Sequence, residues 1–157
     1  MTYYTFFHVL ISLIGIVSGL IVLAGLLNSD RKDGWTLVFL ITTVATSLTG
    51  FGFPYGGFTP AIGVGIISMI FLIIAIAARY PFHLSGSWRW IYVISALVSL
   101  YLNVFVLVVQ SFLKIPALHT LAPAGTEPPF AIAQGIVLIL FIIAGFLSLR
   151  RFHPLIQ

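Results

Sequence analysis

Two carboxamides lie within a largely apolar stretch of this sequence. The segment 101–114, YLNVFVLVVQSFLK, contains Asn103 and Gln110, seven positions apart. On an α-helix, residues at that separation return to nearly the same face. A carboxamide has two donors and an acceptor with two lone pairs, and leaving them unpaired in hydrocarbon costs several kcal/mol. Both side chains are therefore expected to face another helix, water or a ligand.

The same helical face carries further residues, and we call this face the polar stripe. At 100° per residue, the residues within about 40° of Asn103 are Tyr92, Ala96, Ser99, Gln110 and Lys114. One interpretation is that the stripe bonds to neighbouring helices, at about 0.6 kcal/mol per hydrogen bond in membrane proteins. The alternative is that it lines a cavity, because buried polar groups in a membrane bundle often mark a ligand or ion pathway.

The cavity interpretation predicts a carrier or sensor that binds a hydrophobic or amphipathic small molecule or a lipid. We expect an outward-facing cavity between the second, fourth and fifth membrane spans, in which polar side chains orient a largely apolar ligand. The predicted ligand-binding residues are Tyr101, Asn103, Gln110 and Gln134. Gln134 belongs to the set because it lies about one turn inside the last span, at a depth similar to that of Gln110.

Three ionisable residues on the same side, His8, His119 and Glu127, are further candidates. No two of them have the spacing of metal ligands on a helix, so no metal is expected. Haem would need histidines at one depth on two facing spans, so no cofactor is expected either. In the segment TEPPF, Thr126 is predicted to cap the last helix and Glu127 to lie in its first turn, where an acidic side chain is favourable.

Catalytic motifs are absent from the sequence. There is no cysteine, no serine in a nucleophile-elbow context and no glycine loop that would cradle phosphate ahead of a soluble helix. Asp30 and Asp33 flank Arg31 and Lys32 in NSDRKDG, which is typical of a charged turn between helices. The protein is therefore expected not to be an enzyme.

Composition indicates the environment in which these residues lie. Of the 157 residues, 61% are hydrophobic and 6% are charged, and the mean hydropathy is +1.19, whereas soluble domains contain about 25% charged residues. The chain is therefore predicted to be an integral membrane protein embedded in the lipid bilayer. Its net charge of +4 comes from basic residues at segment ends, so it does not predict a nucleic-acid partner.

Five apolar segments are long enough to cross a bilayer as helices, which takes about 20 residues. They cover roughly 5–27, 35–53, 59–79, 88–113 and 129–149. The decapeptide FGFPYGGFTP contains two prolines and three glycines, which break the helix and turn the chain back. We therefore predict an all-α, single-domain bundle of five transmembrane helices over residues 1–157.

Five crossings divide the loops into two sets of opposite basic content. One set contains Arg31, Lys32, Arg79, Arg89, Arg150 and Arg151, and the other contains only Lys114. Because basic loops stay in the cytoplasm, the N-terminus is expected outside and the C-terminus inside. All three tryptophans then lie at cytoplasmic ends of spans, where amphipathic rings anchor a helix at the headgroup level.

Two other functions are compatible with a membrane bundle. Gly15 and Gly19 in the first span, and Gly63 and Gly65 in the third, form small-residue patches that let backbones approach within one chain or between chains. Contacts between chains would make the protein a homo-oligomer or an accessory subunit of a membrane complex. Ion or proton permeation is the third alternative, although no Asp, Glu or His lies near the centre of a span to relay protons.

Longer segments of the chain resemble a family of membrane proteins. The run GSWRWIYVISALVSLYLNVFVLVVQSFLKIPALHTLAP, together with EPPFAIAQ and LTGFGFPYGGFTP, is similar to a family of small, uncharacterised bacterial inner-membrane proteins. This resemblance implies a multi-pass protein of the bacterial inner membrane and implies no activity, cofactor or site. The length and span count also resemble those of the tryptophan-rich sensory proteins, five-helix bundles that bind porphyrins and sterols. NSDRKDG differs from their Trp- and Pro-rich first loop, so this likeness is one of architecture.

Overall fold

The chain folds into helices, and five of them are long and apolar enough to cross a membrane. A computed structural model describes residues 2–155, and within that range it contains no strand. The helices are α1 (Tyr3–Leu27), α2 (Asp33–Phe51), α3 (Pro60–Arg79), α4 (Trp88–Lys114), α5 (Pro116–His119) and α6 (Pro128–Arg151). The prediction of five membrane-length helices is confirmed, with ends that differ by at most two residues. The short helix α5 is an addition to the predicted elements.

Capping explains the starts of two of these helices. Thr59 Oγ1 accepts a hydrogen bond from the Ile62 N–H at 3.3 Å, and Pro60 takes the first helical position, where a missing N–H costs nothing. The start of α6 differs from the prediction, because Glu127 and not Thr126 is its N-cap residue. Pro129 lacks the N–H group to which a capping side chain could bond, the N–H of Phe130 donates to the backbone oxygen of Glu127 at 3.1 Å, and no side-chain hydrogen bond caps α6.

Short turns make consecutive long helices antiparallel, so the bundle has two distinct ends. The N-terminal end contains the start of α1, the turn at 52–59 and α5, whereas the C-terminal end contains the turns at 28–32 and 80–87 and the residues after α6. At the N-terminal end, His8 of α1 contacts Thr49 of α2. Helix α4 packs against α1, α3, α5 and α6, and it is therefore the central helix of the bundle.

The hydrophobic core occupies the half of the bundle nearest the C-terminal end. Its buried residues are Val22, Leu26, Phe39, Leu40, Leu72, Ala75, Ala78, Leu84, Tyr92, Val93, Ala96, Leu97, Leu100 and Phe152. In the other half, the long helices add few buried side chains, such as Ile11, Ser47 and Phe112. The bundle is therefore tightly packed toward its C-terminal end and loosely packed toward its N-terminal end.

Glycines permit the close helix contacts that this core requires. A Cβ atom on Gly19 would lie 2.5 Å from Leu100 Cδ1 and 3.0 Å from the Phe39 ring, so α1 can approach α2 and α4 only without a side chain there. A Cβ atom on Gly65 of α3 would lie 2.7 Å from the Phe51 ring. The space beside these two glycines is filled by side chains of the same chain. Gly19 and Gly65 therefore allow close approach within one chain, which is one of the two alternatives that the sequence leaves open for the small-residue patches.

A buried arginine joins the helices at the C-terminal end. The Arg79 side chain is 1% exposed; its Nη2 donates to the backbone oxygen of Arg31 at 3.0 Å and to Asp33 Oδ1. The guanidinium also lies over the Tyr92 ring, 5.2 Å from the ring centroid. Because a buried charge without partners is very unfavourable, these contacts fix the positions of α2, α3 and α4 relative to one another.

We expect loss of Asp33 to destabilise the protein more than loss of Arg79. Asp33→Ala leaves the buried guanidinium with an unpaired donor, which costs about 1–3 kcal/mol. Arg79→Met removes the charge itself, and Asp33, whose side chain is 70% exposed, then remains in contact with water. Thermal unfolding in detergent should give a lower midpoint for Asp33→Ala than for Arg79→Met, with the double variant close to Arg79→Met.

Asp30→Ala is the matched control for Asp33→Ala. Asp30 Oδ2 lies 2.9 Å from Lys32 Nζ on the surface, and hydrogen bonds from the Lys32 side chain and backbone lower the pKa of Asp30. An exposed ion pair contributes little to stability, so the midpoint should barely change. Equal midpoints for Asp30→Ala and Asp33→Ala would show that the buried pair has no special role.

Gly19→Ala should destabilise the bundle by about 1–3 kcal/mol, because the added methyl group overlaps Leu100 and Phe39. Gly135→Ala is the control, since a Cβ atom there meets nothing within 4 Å and alanine favours helix. The double variant Gly19→Ala/Leu100→Ala should lose less stability than the sum of the two single variants, because Leu100→Ala removes the closest contact. The same unfolding midpoints test this, and similar values for the two glycine variants would refute it.

Candidate ligand-binding site

The Asn103 side chain lies at the boundary between the tightly and the loosely packed halves. Its Nδ2 donates to Thr43 Oγ1 of α2 over 3.4 Å, which is long for a hydrogen bond. Gly15, at the middle of α1, completes this layer, because a Cβ atom there would lie 3.2 Å from Thr42 Oγ1 and 3.7 Å from Asn103 Nδ2. Helices α1, α2 and α4 therefore meet at what we call the Asn103 layer: Asn103, Thr43 and Gly15.

The polar stripe of α4 changes its environment at the Asn103 layer. Toward the C-terminal end, Tyr92, Ala96 and Ser99 are buried in the core. Gln110 lies two turns beyond Asn103 on the same face, and it is exposed. A residue on the face that meets α1 and α2 is exposed only where those helices no longer cover it. Helices α1 and α2 therefore do not cover Gln110, and we give the name α4 cleft to the region bounded by the Asn103 layer, Gln110 and the α1–α2 pair.

The α1–α2 side of the cleft carries a histidine and a threonine. His8 lies seven residues before Gly15, on the same face of α1, and its Nδ1 is 2.7 Å from Thr49 Oγ1. The Phe53 ring meets the His8 ring edge to face, with centroids 5.1 Å apart. Tyr4 Oη donates to the backbone oxygen of Thr49 at 2.5 Å. Of the three further candidates, His8 is thus the one that belongs to the α1–α2 pair.

Tyr101 lies on a different side of α4 from Asn103. Gln134, which belongs to α6, contacts α4 on that same side. The Tyr101 ring packs against Phe105 and against Phe141 of α6, with centroid distances of 6.2 and 5.5 Å. Gln134 Nε2 donates to the backbone oxygen of Phe105 at 3.1 Å, and Gln134 Oε1 is buried without a partner in the described range. The four predicted ligand-binding residues therefore form two groups, one toward α1 and α2 and the other toward α6.

His119 and Glu127 make contacts within the connection between α4 and α6. His119 Nδ1 is 3.3 Å from the backbone oxygen of Phe112. Glu127 accepts hydrogen bonds from the N–H groups of Ala124 and Thr126 at 2.9 and 3.0 Å, and backbone hydrogen bonds, that of Ala124 most of all, lower the pKa of Glu127. Within residues 2–155, no three His, Asp or Glu side chains are arranged to hold a metal ion.

Two surface grooves lie away from the predicted residues. One, of about 410 Å³, runs between α2 and α3 and is lined by apolar side chains such as Leu40, Val44 and Leu48. The other, of about 550 Å³, lies at the C-terminal end and includes Asp30 and Asp33. Neither groove contains a predicted ligand-binding residue, so the α4 cleft is a separate feature of the opposite end.

The contact between His8 and Thr49 is missing from the sequence-based site, although the sequence contains a signal for it. Residues of an antiparallel helix pair meet when they lie at equal distances from the shared turn. His8 lies 20 residues before Asn28, and Thr49 lies 17 residues after Lys32. Counting outward from the NSDRKDG turn therefore places the two side chains within about one helical turn of each other.

Comparisons of this chain with protein-family models, with curated proteins and with solved structures gave no match. A function for the α4 cleft therefore has to be inferred from its own chemistry. That chemistry consists of the amides of Asn103 and Gln110 on one side and the imidazole of His8 on the other.

Proposed function

We propose that the protein binds an amphipathic small molecule or lipid in the α4 cleft, as a non-enzymatic carrier or sensor. The observation that supports this most directly is the polar stripe, which is buried as far as the Asn103 layer and exposed at Gln110. An amide in a membrane bundle needs a partner. Gln110 makes no hydrogen bond to any residue in the range 2–155, so a bound molecule or water has to supply its partner.

In this proposal the N-terminal end faces the outside of a bacterial inner membrane and the C-terminal end faces the cytoplasm. The basic residues support this orientation: six of the seven belong to the C-terminal end, and Lys114 alone belongs to the N-terminal end. The resemblance to bacterial inner-membrane proteins supports the choice of membrane. The α4 cleft then opens to the outer leaflet and to the space outside it.

The packing of α1 and α3 favours binding over assembly with a second chain. The glycine patches were one argument for an oligomer or an accessory subunit. Gly19 and Gly65 already face Leu100, Phe39 and Phe51 of the same chain. A partner helix cannot use these two positions unless the monomer first opens, which would expose the contacts of the core.

Asn103→Leu is expected to reduce bound amphiphile at least about fivefold, because one hydrogen bond is worth about 1 kcal/mol. The measurement is mass spectrometry of lipids and small molecules that co-purify with the protein, per mole of folded monomer. Ser99→Ala is the matched control one turn away on the same face, since Ser99 Oγ donates to the backbone oxygen of Ser95 at 2.9 Å and needs no ligand.

Gln134→Leu distinguishes the two sides of α4. Loss of bound amphiphile in Asn103→Leu and its retention in Gln134→Leu would support the α4 cleft. Loss in Gln134→Leu alone would place the ligand between α4 and α6, against the proposal. Unchanged co-purification in both Asn103→Leu and Gln134→Leu would show that no amphiphile is held by these amides.

Orientation can be tested with single cysteines, because the chain has none of its own. Thr120 lies at the N-terminal end and Ser87 at the C-terminal end, and both are exposed. We expect a membrane-impermeant maleimide to label Thr120→Cys in intact cells and to label Ser87→Cys only after lysis. The reverse pattern would place the cleft on the cytoplasmic side.

A further inference from the structure

The hydrogen bond between His8 and Thr49 determines which imidazole nitrogen carries the proton. A threonine hydroxyl has one hydrogen, and Thr49 Oγ1 donates it to the backbone oxygen of Ala45 at 2.7 Å. Toward His8 Nδ1, 2.7 Å away, Thr49 Oγ1 can therefore only accept. The neutral imidazole then has its proton on Nδ1 and a free lone pair on Nε2.

The Nε2 lone pair of His8 has no donor in the part of the chain that the structure describes. His8 is half-buried, with the Phe53 ring edge to face against it. Histidines that bind a ligand through one ring nitrogen are commonly oriented by a hydrogen bond at the other nitrogen, and Thr49 provides such a bond at Nδ1 of His8. His8 is therefore poised to accept a hydrogen bond.

Asn103 also leaves a hydrogen-bond acceptor free, at the inner limit of the cleft. Its Nδ2 donates to Thr43 Oγ1, so Oδ1 remains as an acceptor. Gln110, farther from the Asn103 layer, carries two donors and an acceptor, so it favours neither a donor nor an acceptor in a ligand. The cation nearest to this face, Lys114, lies 11 residues beyond Asn103, about 16 Å along the helix. The inner part of the cleft thus presents acceptors without a cation.

We propose that the α4 cleft selects a neutral amphiphile whose head donates hydrogen bonds through hydroxyl groups, with His8 Nε2 as a binding residue. This inference rests on the proposed function and adds the chemical class of the ligand. An ionised carboxylate or a doubly ionised phosphate head offers only acceptors, so it would face the lone pairs of His8 and Asn103 without a donor between them. A head with two hydroxyl groups can donate to both acceptors, and a single hydroxyl can donate to one of them.

Hexadecanol and hexadecyl methyl ether test this selection, because they differ in the hydroxyl donor at an almost constant chain. Titrations of the purified full chain in detergent, followed by native mass spectrometry, should give about fivefold tighter binding of the alcohol, the value of one hydrogen bond. Hexadecyl phosphate, the anionic probe, should bind more weakly than the alcohol.

Variants at Thr49 test the role of the tautomer. In Thr49→Val the imidazole is free to carry its proton on Nε2, so the preference for the alcohol over the ether should disappear, and Thr49→Ser should restore it. Thr46→Val is the matched control, because Thr46 Oγ1 donates to the backbone oxygen of Thr42 at 2.7 Å. If Thr49→Val does not fold, His8→Phe removes the same acceptor and should abolish the same preference.

The outcomes separate this inference from the proposed function. Equal binding of alcohol and ether by the wild type, with both lost in Asn103→Leu, would overturn the donor selection and leave the binding proposal standing. Tighter binding of hexadecyl phosphate than of the alcohol would overturn it too, by showing that Lys114 governs the choice. Binding of no probe by the wild type would overturn both proposals.

Discussion

Inside hydrocarbon, a polar group has to find its partner within the protein, and the two halves of this bundle meet that constraint in different ways. Several serines and threonines meet it locally. Ser18, Thr42 and Ser95 each donate to the backbone oxygen four residues earlier in the same helix. Their hydroxyls therefore need nothing from a neighbouring helix, and the surrounding faces can pack closely.

The same constraint explains why the core lies near the C-terminal end. Arg79 is the one buried cation in the described range, and its partners come from the turn at 28–32 and from Asp33. The guanidinium contacts the turn at 28–32, the start of α2 and Tyr92 of α4, and it therefore holds these three elements together. Small residues such as Gly19, Ala75 and Ala96 then allow α1, α3 and α4 to close around it. The N-terminal half has no comparable anchor among the described residues.

Most of the fold follows from hydropathy alone, whereas the site follows only in part. Five apolar runs of sufficient length predict the five long helices, because a chain in lipid has few other ways to pair its backbone. Helical periodicity likewise places Asn103 and Gln110 on one face of α4. Periodicity also places Tyr101, two residues before Asn103, on the opposite side of α4, which is where the structure has it packed against Phe141 of α6, so helical spacing gave no support for including Tyr101 in the predicted set.

Other features were unpredictable because they depend on contacts between distant residues. Arg79 stands at the end of an apolar run, like any loop cation, and its burial depends on Asp33, 46 positions away. The N-cap of α6 depends on Glu127 turning its carboxylate back to the N–H groups of Ala124 and Thr126. Such contacts are decided by tertiary packing, which a single sequence does not display.

Hydroxyls and amides differ in whether they need a partner from another helix. A hydroxyl in a helix can satisfy itself on its own backbone, so its presence says little about what lies opposite. An asparagine or glutamine has two donors and an acceptor and always needs something beyond its own helix. Asn103 has one long bond to Thr43, Gln134 keeps a buried unpartnered oxygen, and Gln110 is exposed. All three lie at or beyond the Asn103 layer, in the half where packing is loose. Leucine at these positions would remove the requirement for a partner, and the three amides therefore support the proposal that this half binds a ligand.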